Sequence, residues 1–496
     1  MRSLWKWVVV LVVAGGLVVG TANEPVRGHE EVLEPAVLEA QPEAWTAVTL
    51  GVSGRRAGDF FIDVDIDVDP RDPNNPDDDN IYVVATRVEG SDFILFLYVS
   101  KDSGKTWVKY RIKTCSGIEC FQPRVAVGSF TEANIVAVGW QDLTPGNLDV
   151  FVQAFCIPKS QAAEVPQLVV ESALPQLRCP DKPALQPDPK QEPRDPYVED
   201  TSPLPLIPLT DEMVNVSNSD AISGNHEIGG REWAGSWDLS INSHPNCLTN
   251  GFPLIWTIWA EDINADMLYS LSKDGQTWSA PAKLPFASGQ TRFPSAYTDR
   301  NGVMYAGSTL SVSPAEVYLT ASDNCGASWG PVVNLSSNPG FSDAPQVAVT
   351  DDGKVHIVWD DTTGTANVDD FYTSCTRQGN VLSCALARSI AKDGAFPTLA
   401  TDGKVLYMPY RNTPGGRTAG VGFSCSTDGG ATWLPAYELP GSAVASPTFV
   451  MPWGYVHFLM IKAAAAGDRV YVVWAQAGDA PTRFLNVRLA WRKGCG

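Results

Sequence analysis

Four tryptophan-ended turns constrain this chain more than any other feature. "SKDSGKTW" runs from Ser100 to Trp107 and "STDGGATW" from Ser426 to Trp433. "SKDGQTW", Ser272 to Trp278, is one residue shorter, and "SDNCGASW", Ser322 to Trp329, has Asn324 where the first two have Asp102 and Asp428. A motif that returns at long intervals implies a structural unit that returns with it. Each residue has a turn role. Gly104 supplies the positive φ of a tight bend. Asp102 accepts from exposed turn amides, Ser100 and Thr106 satisfy nearby backbone groups, and Trp107 fills space beside the next element.

The sequence before each turn also recurs: a proline-led strand, a turn with Asp or Gly, then a strand ending in an aromatic. Seven such phrases are present, among them "QPRVAVGSFTEANIVAVGWQD", "RFPSAYTDRNGVMYAGS", "APQVAVTDDGKVHIVWDD" and "FPTLATDGKVLYMPYRN". The middle units return about every fifty residues, a period that signals a propeller when each unit is all strand. In "VHIVW", Val355 to Trp359, both faces are apolar apart from His356, as a sheet packed on both sides requires. With "FILFLYVS" before the first turn and "WVKYRIK" from its tryptophan, each unit makes four strands. The expected fold is an all-β propeller of seven four-stranded blades over 44–496. The last unit ends "FLNVRLAWRKGCG" with no fourth strand, while "EAWTAVTLGVSG" near the start resembles the strands after the turns. The N-terminal strand is therefore expected to complete the last blade and remove its edge.

The chain opens with a basic, then apolar, segment that reads as a signal peptide over 1–22, followed by a leader over 23–43. No later segment is apolar enough to span a bilayer. Export fits the 10 Cys, an even number that favours disulfides. Cys115 with Cys120, Cys156 with Cys179 and Cys375 with Cys384 are close enough in sequence to bridge; the other partners are open. Residues 157–212, rich in Pro and charge, read as a surface insertion between the second and third units. The formal charge of -20 excludes nucleic acid as a natural partner. A monomer is expected.

The turns resemble the Asp-box, or bacterial neuraminidase repeat, of the sialidase superfamily. The likeness rests on Ser100, Asp102, Gly104, Trp107, Asp274, Trp278, Gly326, Trp329, Asp428, Gly430 and Trp433. It implies a secreted propeller, of six blades in sialidases, and a glycan ligand or glycosidase activity. The resemblance stops short of a catalytic set: the nearest phrase to the family's "RIP" is "RFP", Arg292 to Pro294, in the fourth unit.

Topology places first-strand starts and second-strand ends at the blade end opposite the turns. Arg124, Arg231, Arg292 and Arg411, with Asp142, are the candidates there for holding a sugar, acidic sugars included, because guanidinium forks suit carboxylates. Asp360 and Glu261 are the acid–base candidates and Tyr410 the candidate nucleophile. Tyr410 also stands where Trp140, Trp359 and Trp474 stand in other units, which reads as a core aromatic. The alternative function is a non-catalytic module that binds proteins or surfaces. No cofactor is required by these residues. Asp63, Asp65 and Asp67 alternate with apolar residues and share one strand face. They need offsetting cations, with Arg55, Arg56 or Ca2+ as candidates.

Overall fold

The computed structural model describes residues 45–51, 59–69, 79–116, 120–130, 133–142, 149–159, 177–188, 198–199, 204–218, 237–261, 266–287, 291–310, 314–364, 367–414, 419–443, 449–450, 456–457, 461–477 and 485–495. The leader segments, Arg55, Arg56 and Arg231 lie outside the described residues. Seven antiparallel sheets of at least four strands form the blades, and no α-helix occurs among the described residues. The blade count is thus seven, not the six of the sialidase alternative. The inner strands of blades 1 to 5 are Asp59–Asp69, Phe121–Ser129, Trp237–Asn242, Thr291–Thr298 and Ser342–Val349. Blade 6 begins with the short strands Gly394–Ala395 and Ala400–Thr401, and blade 7 with Ile461–Ala466. These inner strands stand side by side around the axis, the seventh against the first.

Seven hydrophobic clusters fill the seven interfaces between adjacent blades. Period-two alternation explains how one strand serves two of them. In blade 5, Val355, Ile357 and Trp359 enter the core shared with blade 4, while Val358 enters the core shared with blade 6. His356 lies on the Val358 face and is fully buried; its ring nitrogens meet Thr350 Oγ1 at 2.9 Å and Tyr372 Oη at 2.8 Å.

The ring closes as the sequence implied. Thr46–Gly51 pairs with Leu485–Lys493 and forms the outer strand of blade 7, Thr46 opposite Trp491. The Pro-rich stretch takes a larger part than an insertion between blades. Blade 2 has no tryptophan turn after its third strand, Asp149–Pro158. Ile207–Pro208 and Val214–Asn215 pair with that strand instead and complete the blade. Val198–Glu199 adds a parallel strand to blade 1, and Leu206 is fully buried. The three local disulfides form as expected, joined by Cys247–Cys325 and Cys425–Cys495. Cys247–Cys325 ties blade 3 to the turn of blade 4.

The tryptophan turns act as fasteners. Ser100 Oγ donates to Asp102 Oδ1 at 2.8 Å and accepts from Gly104 N at 2.8 Å. Thr106 donates its amide to Asp102 Oδ1 at 2.8 Å and its hydroxyl to Oδ2 at 2.6 Å. Ser426, Asp428, Gly430 and Thr432 repeat this bonding, and Ser272, Asp274, Gly275 and Thr277 follow it. The tryptophans pack towards the preceding blade: Trp107 is fully buried against blade 7, Trp329 lies 5.6 Å from Tyr269, and Trp433 lies 5.4 Å from Tyr372. Gly430 has φ +79°, and a Cβ there would meet Tyr372 Oη, so both the bend and the close approach require glycine.

Candidate functional site

Strand register fixes which blade end carries what. The turn serines sit opposite the starts of the second strands: Ser100 opposite Ile81, Ser322 opposite Met304, Ser426 opposite Leu406. Arg292, Asp343, Asp360 and Arg411 sit at the other end, where first strands begin and second strands finish. At that end several inner strands bulge ahead of a proline. Gln122, Phe293, Ala344 and Phe396 hold φ of 47°, 47°, 53° and 50°. Each precedes a proline, and the register slips there in blades 2, 4 and 5. Positive φ in non-glycine residues stores strain and re-aims side chains. Here it places Phe293 and Phe396 at the rim, with rings 6.2 Å apart edge to face.

Blades 4, 5 and 6 build one continuous cluster on this rim. In blade 5, Asp343, Asp360 and Asp370 are in register across three adjacent strands, Asp343 opposite Asp360 and Asp360 opposite Asp370. Like charges directly opposite destabilise a sheet, so this row needs compensation. It comes from both sides. Arg292 Nη2 of blade 4 lies 2.9 Å from Asp343 Oδ2, with its guanidinium 5.3 Å from the Phe293 ring centre and 4.9 Å from that of Phe341. Arg411 of blade 6 sits 4.5 Å from the Phe396 ring centre, and its charge acts on Asp370. Phe396 N donates to Asp360 Oδ1 at 2.5 Å. Gly394 is required beside Asp370, since a Cβ there would stand 1.9 Å from Asp370 Oδ2.

The row is electrostatically tense. Asp370 is fully buried, and neither of its oxygens has a hydrogen-bond partner among the described residues. Burial first, then the charges of Asp360 and Asp369, push its carboxyl well above the usual range. Asp343 is pushed up to about 6 by burial, although Arg292 pulls the other way. The next row is quieter. Asp361 accepts from Trp359 Nε1 at 3.0 Å, Ser342 Oγ at 2.8 Å and Thr363 N at 2.7 Å. Phe341 is the exposed member of the cluster, at 45%.

The remaining sequence candidates go elsewhere. Arg124 is buried beside the central channel, 3.4 Å from Asp238 Oδ1 through Nε, and does not join the Arg292 cluster. Asp142 is buried beneath Trp140, whose Nε1 donates to it at 3.4 Å, the same contact that Trp359 makes with Asp361. Position two after the aromatic shares its face and position one faces away, which separates Asp361 and Asp142 from Asp360. Glu261 follows the second strand of blade 3, its amide donating to Asp266 O at 2.9 Å. Tyr410 lies in the core between blades 5 and 6 with Met408 and Val358, and burial, then Asp370, pushes its phenol up. It is the core aromatic that its alignment with Trp359 implied.

Asp63, Asp65 and Asp67 do share one face of the blade 1 inner strand. Their Oδ2 atoms accept from Gln122, Val125 and Val127 amides of blade 2, at 3.0, 3.0 and 2.7 Å. Asp238 repeats this from blade 3 to Ala296 N at 2.8 Å. These carboxylates satisfy the amide edges that inner strands expose to a neighbour they do not pair with. Burial pushes Asp65 up and Asp67 up to about 7, with Lys462 and Arg124 opposing for Asp65. Asp65, Asp67, Asp238 and Lys462 also line a central cavity of about 310 Å³.

Sequence reasoning missed Asp343, Asp369, Asp370 and the three phenylalanines. The doubled "DD" at 360–361 and again at 369–370, on either side of one hairpin, is the signal that was available. No family model matches this chain, and no curated protein matches it in sequence. Among solved structures the likeness is distant. A polysaccharide lyase is 8% identical, with 90% of this chain and 99% of that one covered at TM-score 0.48. The alpha-L-arabinofuranosidase of Fusarium graminearum is 9% identical, covering 91% and 98% at TM-score 0.42. A Hadza microbial sialidase is 12% identical, covering 84% and 76% at TM-score 0.41.

Proposed function

We propose that the rim of blades 4 to 6 binds a carbohydrate and that its carboxylates carry out glycosidic acid–base chemistry. The observation behind this is the in-register row Asp343, Asp360 and Asp370, held between two arginines that each lie on a phenylalanine face. Glycoside hydrolysis needs one carboxyl that keeps a proton near working pH and another that stays ionised. Asp343, pushed up to about 6, suits the first role, and Asp360, fixed by the Phe396 amide, the second. Phe341, Phe293 and Phe396 offer apolar surface to the CH face of a sugar ring. Tyr410 has no part in this reading, and neither does Ca2+, since amides already meet Asp63, Asp65 and Asp67. Five disulfides suit an extracellular protein.

A glycan array and a panel of aryl glycosides test the proposal, with Arg292→Ala, Arg411→Ala and Asp360→Asn beside the parent chain. Expected are binding that the arginine variants weaken about tenfold, in line with the loss of a charge-assisted contact, and turnover that Asp360→Asn removes. Binding without turnover in any variant leaves a lectin-like module. Neither binding nor turnover ends the reading.

A further inference from the structure

The charges around the rim say which sugars it favours. Five carboxylates crowd one end of blade 5, Asp343, Asp360 and Asp370 in one row and Asp361 with Asp369 in the next. Two guanidiniums face them. Both are already engaged: Arg292 is paired with Asp343 at 2.9 Å and lies against Phe341 and Phe293, while Arg411 lies against Phe396 with its charge on Asp370. A sugar carboxylate arriving here would have to displace Asp343 from Arg292 and then sit among the remaining acids. At the short separations of such a cluster each like-charge pair is unfavourable, and more so away from bulk water. A hydroxyl can donate to the row, but an ammonium brings three donors and the missing charge. Asp370 adds a separate observation. It is fully buried with both oxygens unpartnered among the described residues, so this member of the row is short of donors, whereas Asp343 accepts from Ala344 N at 3.0 Å and Asp360 from Phe396 N at 2.5 Å.

We propose that this site selects an amino sugar with a free ammonium group over a neutral sugar, and rejects acidic sugars; the proposal rests on the glycan reading above. The ammonium sits at the Asp343–Asp360 row, and the exposed Phe341 ring lies under the sugar beside it, where an aromatic face also attracts a cation. This departs from the acidic ligand that the arginines suggested in sequence. There the arginines were visible, but the acids that neutralise Arg292 and Arg411 were not.

The test is calorimetric titration of matched disaccharides: β-1,4-linked glucosamine, its N-acetylated counterpart, and a digalacturonate. Disaccharides are used because a chain of charge -20 attracts longer polycations at any surface. The amine is expected to bind about tenfold tighter than the N-acetyl form, the worth of one charge-assisted contact, and the uronate not at all. Asp343→Asn is expected to narrow the gap between amine and N-acetyl forms. Phe341→Ala, at an exposed position, should weaken both forms and the amine more, because the ring under the cation is gone, and it serves if Asp343→Asn does not fold. Equal affinity for amine and N-acetyl forms, or a gap unchanged in Asp343→Asn, overturns the charge preference and leaves the glycan reading standing. Tightest binding of the uronate reverses the preference and also overturns it. If no sugar of any charge binds, both proposals fall.

Discussion

Aspartate is used in opposite ways at the two ends of these blades. In the tryptophan turns, Asp428 takes the Thr432 hydroxyl and amide and the Ser426 hydroxyl, and these bonds lower its carboxyl to about 2. Thr106 and Ser100 do the same for Asp102, where their hydrogen bonds outweigh the opposing effect of burial. At the rim, neither Asp370 oxygen has a hydrogen-bond partner among the described residues, and burial pushes Asp343 up although Arg292, Thr309 and the Ala344 amide oppose it. Composition alone does not distinguish the two sets. Their partners do: a carboxylate surrounded by donors is a fastener, and one stacked on other carboxylates is strained by the fold that holds it.

The contrast breaks if a turn residue controls function or a rim residue controls folding. The largest expected effect is at the turn end. Trp107→Ala empties a fully buried site between blades 1 and 7 and should cost about 3–5 kcal/mol, read by chemical denaturation. Any sugar binding should survive wherever the protein is folded. At the rim the expectation is reversed. Asp360→Asn should cut turnover by about 10²–10⁴, the usual worth of an acid–base group, while the melting temperature stays within a few degrees. A variant that unfolds instead makes Asp360 a fastener too.

The same contrast explains what the sequence disclosed. The turns were legible because all their bonds lie within a few residues, Ser100 to Thr106. Blade count and closure by Thr46–Gly51 followed from repetition and from one missing strand. The outer strand of blade 2 was not legible, because Ile207–Pro208 reaches Phe155 and Cys156 across a long irregular stretch with no turn signature. At the rim, Arg292, Arg411 and Asp360 were named from strand ends. Arg124 and Asp142 were named by the same rule and are occupied elsewhere, one at Asp238 and one under Trp140. Strand ends predict a blade end but not the facing. The facing depends on residue parity after the aromatic and on bulges at positions such as Phe293, which a repeat pattern does not encode.

A middle-sized effect tests the electrostatic half of the comparison. Asp343 titrates in the folded chain at about 6 and in an unfolded one near 4. A carboxyl raised by folding contributes stability that is complete below about pH 4 and is lost as pH rises through about 6. Asp343→Asn should therefore flatten part of the decline in melting temperature over that window, by the equivalent of about 3 kcal/mol. Some decline should remain, because Asp67, at about 7, has the same sign. An unchanged profile would mean that Arg292 cancels the cost of burying Asp343.

The smallest effect has a control already written into the chain. Asn324 stands in the blade 4 turn where the others have aspartate, yet its Oδ1 accepts from Ser328 N at 2.9 Å and its Nδ2 donates to Ser328 Oγ at 2.7 Å. The amide keeps the amide-to-oxygen bond and reverses the other, because the serine hydroxyl can accept as well as donate. Asp102→Asn should therefore be nearly neutral at pH 7, whereas Asp102→Ala, which leaves the Thr106 amide and hydroxyl without this acceptor, should cost about 1 kcal/mol. Acid separates asparagine from aspartate. A carboxyl lowered by folding, as Asp102 is, contributes stability that is present above about pH 4 and is lost as pH falls below it. The Asp102→Asn variant should lose less stability than the parent on that descent, since asparagine has no proton to gain. If asparagine proves as costly as alanine at neutral pH, the turn depends on charge and not on hydrogen-bond count, and blade 4 must be held by Cys247–Cys325 in place of its turn.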